Sequence, residues 1–403
     1  MFKKVFAATL AGLFITAPAF ANIEEYGAAK EAYESSTGFK GVKMSGSFFI
    51  KGNYRQKLDD TDDYRYYESD FEVKTDFVVD EKTSATLVVE AFDANWVDSE
   101  LAGDDKNYDQ VQKDTQNHLQ VTKAVMNHTF SSNTAFSGGV AQNGNGWGTL
   151  FGDTLDYAYF LQAKQDVPFG TLTFKTEKID EGAITNDDKD VDAYLVGFDT
   201  KVAGFDVKPA FYMVKDQDKV DGGNEELSKV LVSASGKVAA FDVNAEVNFV
   251  DYDGADASVF GVWVDAATTV ADLGVNFALG YGSADDATAF DYGDELCPME
   301  ILGDDIELKG ATFLKAGVSK SFTDKVSADA ALAYAMTNVD ESDRTAAQTA
   351  FDAVYEFNVN TKYKASDAVT LSTGVAYLDG DDAAEKAFKS ARIDAYAKVA
   401  VAF

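Results

Sequence analysis

The 403-residue sequence predicts an all-β chain closed into a transmembrane, antiparallel, up-and-down β-barrel of about eighteen strands. Three observations carry that prediction. Apolar and polar residues alternate with period two along much of the chain, very short turns alternate with long acidic connections, and an export leader is followed by no apolar stretch of the roughly 20 residues a spanning helix needs.

The leader comes first. Met1-Phe2-Lys3-Lys4 supplies a basic start, Val5 to Ala17 a short apolar core, and Pro18-Ala19-Phe20-Ala21 a small-residue exit, so residues 1–21 are read as a Sec signal peptide cleaved after Ala21. Residues 22–37 form a short periplasmic segment in which Ile23, Tyr26 and Tyr33 recur at roughly helical spacing. It either hangs in the periplasm, the favoured reading, or tucks into the barrel mouth. The barrel is assigned to residues 38–403.

Composition fits strands. The chain has 30 Phe, 19 Tyr and 31 Gly against 4 Pro, rich in strand formers and poor in the residue that breaks ladders. The mean hydropathy of −0.19 is no objection, because lipid-facing and lumen-facing residues average out along a barrel strand. Cys297 is the single cysteine, which excludes an intramolecular disulfide and a cysteine-based zinc site. A formal net charge of −33 excludes nucleic acid as a partner.

The strand pattern is explicit in four places. Residues 67–79 set Tyr67, Phe71, Val73 and Phe77 against Glu68, Asp70, Glu72, Lys74 and Asp76. Residues 241–249 set Phe241, Val243, Val247 and Phe249 against Asp242, Asn244, Glu246 and Asn248, and 351–363 set Tyr355, Phe357 and Val359 against Glu356, Asn358 and Lys362. Ala391, Ile393, Ala395, Ala397, Val399, Val401 and Phe403 alternate with Arg392, Asp394, Tyr396 and Lys398 to the last residue. Charge on the second face of so many strands calls for a wet interior and an apolar exterior.

Connections fix the count. Short turns are read at 80–82, 131–133, 167–170, 203–204, 239–240, 271–272, 323–325 and 366–367. Long polar segments lie at 57–64, 98–116, 143–155, 180–190, 215–227, 251–257, 283–309, 338–350 and 379–390. Nine long segments make nine hairpins and eighteen strands, with sixteen as the alternative. Phe130, Phe169, Phe205, Phe241 and Phe322 flank short turns, while Tyr54, Trp96, Tyr252, Tyr281 and Tyr377 lie near long loops, as two aromatic girdles require.

The terminal strand resembles the recognition strand of bacterial outer-membrane proteins, so Val399, Val401 and Phe403 are the expected signal for the barrel assembly machinery. Together with the turn asymmetry, the chain resembles the Gram-negative outer-membrane porin superfamily over nearly its whole mature length. No short motif identifies a subfamily. The resemblance implies Sec export to the outer membrane, contact with lipid and lipopolysaccharide, a homotrimer, and a water-filled channel for passive diffusion of ions and small hydrophilic solutes. The alternatives are a substrate-specific channel for a sugar, a carboxylate or a hydrophobic solute, and a structural or adhesive barrel.

The expected pore lining follows from the polar faces: Lys43, Lys51, Arg55, Glu72, Lys74, Asp76, Lys164, Glu246, Glu356, Lys362, Arg392 and Lys398. Acidic loops at the mouth predict a weak preference for cations. The candidate constriction is the third long loop with Asn143, Asn145 and Trp147, and its rival is 283–309, whose run Cys297-Pro298-Met299-Glu300-Ile301-Leu302 is too apolar for a loop that packs on nothing. No catalytic set is found. His118 and His128 are the only histidines, about 33 Å apart along an extended chain, and are read as lumen-facing polar residues. The acidic loops lack the spacing of a calcium site, and no cofactor or metal is expected.

Overall fold

The computed structural model describes residues 40–57, 63–97, 120–141, 158–180, 191–216, 225–252, 258–283, 299, 301, 310–339, 352–380 and 391–403. The leader, residues 22–37, His118, the segment 143–155 and Cys297 lie outside them. Eighteen strands follow one another: β1 Gly41–Lys57, β2 Asp63–Val78, β3 Thr83–Val97, β4 Gln120–Ser131, β5 Thr134–Ala141, β6 Ala158–Val167, β7 Gly170–Asp180, β8 Val191–Val202 and β9 Phe205–Asp216. The second half comprises β10 Glu225–Val238, β11 Phe241–Tyr252, β12 Ser258–Val270, β13 Leu273–Gly282, β14 Ala311–Ser321, β15 Val326–Thr337, β16 Ala353–Lys364, β17 Val369–Gly380 and β18 Arg392–Ala402.

Each strand pairs antiparallel with the next, and β1 pairs with β18 from Ser47 opposite Ala402 to Lys57 opposite Arg392, which closes the sheet. Closure pairs the backbone of every strand on both sides and leaves no open edge, the condition for a sheet to sit in lipid. The strand number is eighteen, not sixteen.

Short turns gather at one end and long connections at the other. The turns hold their shape by local polar bonds. Asp80 accepts from the backbone N–H groups of Lys82 and Thr83, both at 2.7 Å, Thr323 Oγ1 accepts from Lys325 and Val326, and Ser366 Oγ accepts from Ala368 and Val369. Three other turns bend through positive φ, at Ala203 (51°) with Gly204 (89°), at Ala239 (54°), and at Ala271 (48°) with Asp272 (64°). Such turns match the twist of the strands they join.

The register assigns the two faces. Outward positions include Leu161, Phe174, Phe211, Phe249, Phe277, Leu332 and Phe357, all exposed. Leaving one such side chain in water forgoes about 1.5–3 kcal/mol, so a belt of them around the whole barrel calls for an apolar surrounding. The girdle at the turn end is present in Phe130, Phe169, Phe241 and Phe322, each exposed on the outside.

The interior is not uniformly polar. In the half nearer the long connections, Val250, Trp263, Phe313, Ala333, Ala335, Val354, Ala376 and Leu378 point inward and are buried together with Met299 and Ile301. A second buried patch joins Ala193, Leu195, Ala210, Tyr212 and Leu231 on β8, β9 and β10.

Candidate functional site

The candidate site is the inner wall. On it stand Lys43, Lys51, Arg55, Glu72, Lys74, Asp76, Lys164, Glu246, Glu356, Lys362, Arg392 and Lys398, each in register with neighbours of the inward set. Alternation puts them there because the opposite face of each strand is taken by the apolar belt.

A cationic stripe runs around one sector. In one row β16 contributes Lys362, β17 Ser372, β18 Lys398, β1 Lys51 and β2 Glu68, each opposite the next. Lys51 and Lys398 are therefore like charges directly across a strand pair, an arrangement that costs stability. Their surroundings offset it. Lys51 lies 3.7 Å from Glu68 and over the Tyr396 ring at 5.0 Å, while Lys398 lies 3.5 Å from the Phe49 ring centre. Tyr396 is fixed in turn by its hydroxyl, which donates to Asn360 at 3.1 Å.

Two inward rows nearer the long connections, Asp394 receives Arg392 in a two-pronged bond, with Nε to Oδ1 at 2.7 Å, and Arg55 Nε at 3.3 Å. The guanidinium of Arg55 also reaches the Tyr66 hydroxyl at 3.4 Å and stands over that ring. Two arginines share one carboxylate, which fixes the side chains of all three. The opposite wall differs. There Asp265 accepts from Asn244 at 2.9 Å and from Trp263 Nε1 at 3.0 Å, near Glu246 and Asp242.

A third group sits beside the second apolar patch. Glu177 is gripped by Lys175 and by the Tyr212 hydroxyl at 3.0 Å, and Lys175 also stands over Phe160. All three charged or polar members are buried, so they hold the wall rather than face water.

Several expectations change. Glu246, Glu356 and Arg392 face inward but are buried, because apolar packing and neighbouring ion pairs cover them; they do not touch an open lumen. Glu356 has a different task. Its carboxylate accepts the backbone N–H of Ile301 at 3.1 Å, pinning this part of the longest connection against the wall where Met299 and Ile301 pack. Met299 and Ile301 of the rival constriction thus reach the interior, while Asn143, Asn145 and Trp147 lie outside the described residues. His128 does not face the lumen: it shares the outward parity of Met126 and Phe130, stacks edge-on with Phe130, and pairs its Nδ1 with the Thr83 hydroxyl at 2.9 Å.

The inward aromatics Phe49, Tyr66, Phe160, Tyr212, Trp263 and Phe313 were not expected from the sequence. A signal exists for some of them. Segments 193–196 and 210–214 are apolar on both parities, and 311–314 nearly so, which in a barrel marks a covered inner wall.

The terminal strand ends as an ordered part of the closure. Phe403 N–H donates to Gly46 at 3.0 Å, the Gly46 N–H donates back at 2.8 Å, and the ring stacks on Phe71 at 6.3 Å.

This architecture is found in solved proteins. The chain superposes on OccAB1 of Acinetobacter baumannii with a TM-score of 0.59 at 12% identity, covering 91% of this chain and 98% of that one. The fold is that of the Occ porins. OccK11 (OpdR) of Pseudomonas aeruginosa gives 0.57 at 9% identity over 90% and 96%, and OpdK of the same species, solved with vanillate, 0.55 at 10% over 90% and 98%. No protein-family model matches the chain, and no curated protein matches it in sequence. The likeness to the Occ porins is thus one of fold, with strand number and closure in common.

Proposed function

We propose that this chain is an outer-membrane channel that passes small hydrophilic solutes by passive diffusion and discriminates among them at its inner wall. The observation that carries this reading is the stripe of Lys51, Arg55, Lys398 and Lys362, in which like charges are kept in register by aromatic rings and a few carboxylates, with the buried Arg392 behind them bracing Asp394. Such an arrangement costs folding energy and suits a solute that carries the opposite charge. The solute class it fits is a small carboxylate. A ring on the solute would find Phe49, Tyr66 and Tyr396 beside the cations, and the Occ-type fold of an OpdK solved with vanillate supports that chemistry.

The acidic connections act earlier. With a net charge of −33, mainly in segments outside the wall, they concentrate small cations at the mouth, so bulk salt current is weakly cation-preferring while the stripe selects organic solutes. Placement in the outer membrane through a Sec leader, recognition of Val399, Val401 and Phe403 by the assembly machinery, contact with lipopolysaccharide and association as a homotrimer belong to the same proposal.

The test uses residues 22–403 folded into vesicles and planar bilayers. Reversal potentials in a salt gradient are expected to lean toward cations, and vesicles are expected to swell faster in benzoate than in a neutral sugar of similar size. Equal swelling rates would remove the carboxylate preference, and absence of conductance from folded, inserted protein would leave a structural barrel.

A further inference from the structure

The outer wall carries a groove that the channel does not use. It lies across β12–β15, has a volume of about 450 Å³, and is lined by Ala266, Phe277, Leu314, Ala316, Leu332 and Tyr334 among others. The register explains its shape. In one row the outward residues are Ala266, Phe277, Ala316 and Leu332, each opposite the next, so small and large side chains alternate and Ala316 forms a notch between two ridges. In the adjoining row Leu314 stands opposite Tyr334, and both remain exposed.

A straight apolar chain fits such a notch. Lipid tails are the medium such a belt faces, and a tail segment seated over Ala316 touches Phe277 on one side and Leu332 on the other as well as the floor, where a flat belt offers one surface. The charge at the turn end adds a head group. Lys320 stands on the same outer face of β14, four residues from Ala316 and hence about 13 Å along the strand. Lys325 lies in the turn that follows, and Phe322 between them is exposed at the girdle, with Lys320 6.0 Å from its ring centre. Two cations beside an aromatic girdle, within a tail's reach of an apolar notch, are complementary to an anionic phosphate with its acyl chain.

We infer that this groove binds one phospholipid of the periplasmic leaflet, its acyl chain in the notch at Ala316 and its phosphate at Lys320 and Lys325. The inference rests on the membrane reading above, which supplies the orientation. It concerns the outside of the wall and is independent of what the lumen transports.

Native mass spectrometry of residues 22–403 tests it, after insertion into vesicles of phosphatidylethanolamine and phosphatidylglycerol at three to one and mild release into detergent. Heat-modifiable migration on gels reports first that the barrel is folded. Wild-type protein is expected to retain one phospholipid per chain, Ala316→Phe and Lys320→Gln each to lower the retained fraction about fivefold, and Leu161→Phe, an outward change on the far side, to leave it unchanged. Retention in both groove variants equal to wild type overturns the site. A dimer in place of a lipid adduct, abolished by Ala316→Phe, overturns it in favour of a second copy. Failure of the wild-type chain to insert overturns the membrane reading itself, and the site with it.

Discussion

Glu356 shows how one residue can change role between sequence and fold. The alternation that places it inward says nothing of what it meets there, and it meets a backbone N–H of the longest connection rather than water. Removing that acceptor strands a buried donor, which costs about 1–3 kcal/mol. Glu356→Ala is therefore expected to release the segment around Ile301 and raise single-channel conductance and its noise, while Glu356→Gln, which keeps an acceptor oxygen, leaves both near wild type. Identical traces for the two variants would mean that the bond does not hold the segment. Gly46 makes a second residue-scale case. A Cβ there would come within 2.5 Å of the Glu72 backbone oxygen and 2.6 Å of the Phe403 ring, so the terminal aromatic and the neighbouring strand both close on a residue that has no side chain. Gly46→Leu is expected to displace Phe403 from Phe71 and to lower stability by about 1–3 kcal/mol, read as a shift of the urea midpoint in vesicles.

At the scale of elements, the hairpins were legible because both of their determinants are local. Ala203-Gly204 and Ser366-Asp367 are too short for anything but a reversal, and the alternation on either side sets which residues meet. The inner contents were not legible, because Leu195 with Tyr212, or Trp263 with Phe313, come together through neighbouring strands whose pairing partners no local pattern names. His128 was misplaced for a related reason: Thr129 and Ser131 surround it with polarity near a turn, where alternation between lipid and lumen has ended. The turns make their own prediction. Ser366 and Thr323 each close a reversal by accepting two backbone N–H groups, so Ser366→Ala and Thr323→Ala should each lose about 0.5–1.5 kcal/mol per bond, seen as faster unfolding in urea. Asp80 does the same as a carboxylate, and the backbone N–H of Lys82, helped by the Thr83 hydroxyl, holds its pKa below the ordinary 3.8. A depressed carboxyl contributes above its unfolded pKa and loses that contribution as pH falls through the lower folded value. Acid should thus loosen the β2–β3 turn only below about pH 4, and Asp80→Asn should remove that acid sensitivity.

For the whole molecule, the question is why an acidic chain assembles cations on one sector of its wall. Closure brings β18 to β1, and with it Arg392 and Lys398 to Arg55 and Lys51, so the stripe exists only in the closed barrel and spans the two ends of the sequence. That is why its members could be named from the sequence while their juxtaposition could not. Folding alone would not select Lys51 opposite Lys398, since a single exchange to a neutral residue would relieve the repulsion. The double variant Lys51→Gln with Lys398→Gln is accordingly expected to fold at least as well as wild type, with no loss in the urea midpoint. A unit charge about 4 Å from a solute carboxylate contributes about 1 kcal/mol even in bulk water, so losing two should slow benzoate entry about thirtyfold. Neutral sugars should enter as before, and the salt reversal potential should move further toward cations. A variant that is more stable, equally permeable to benzoate and unchanged in selectivity would show that the stripe belongs to the architecture and not to transport.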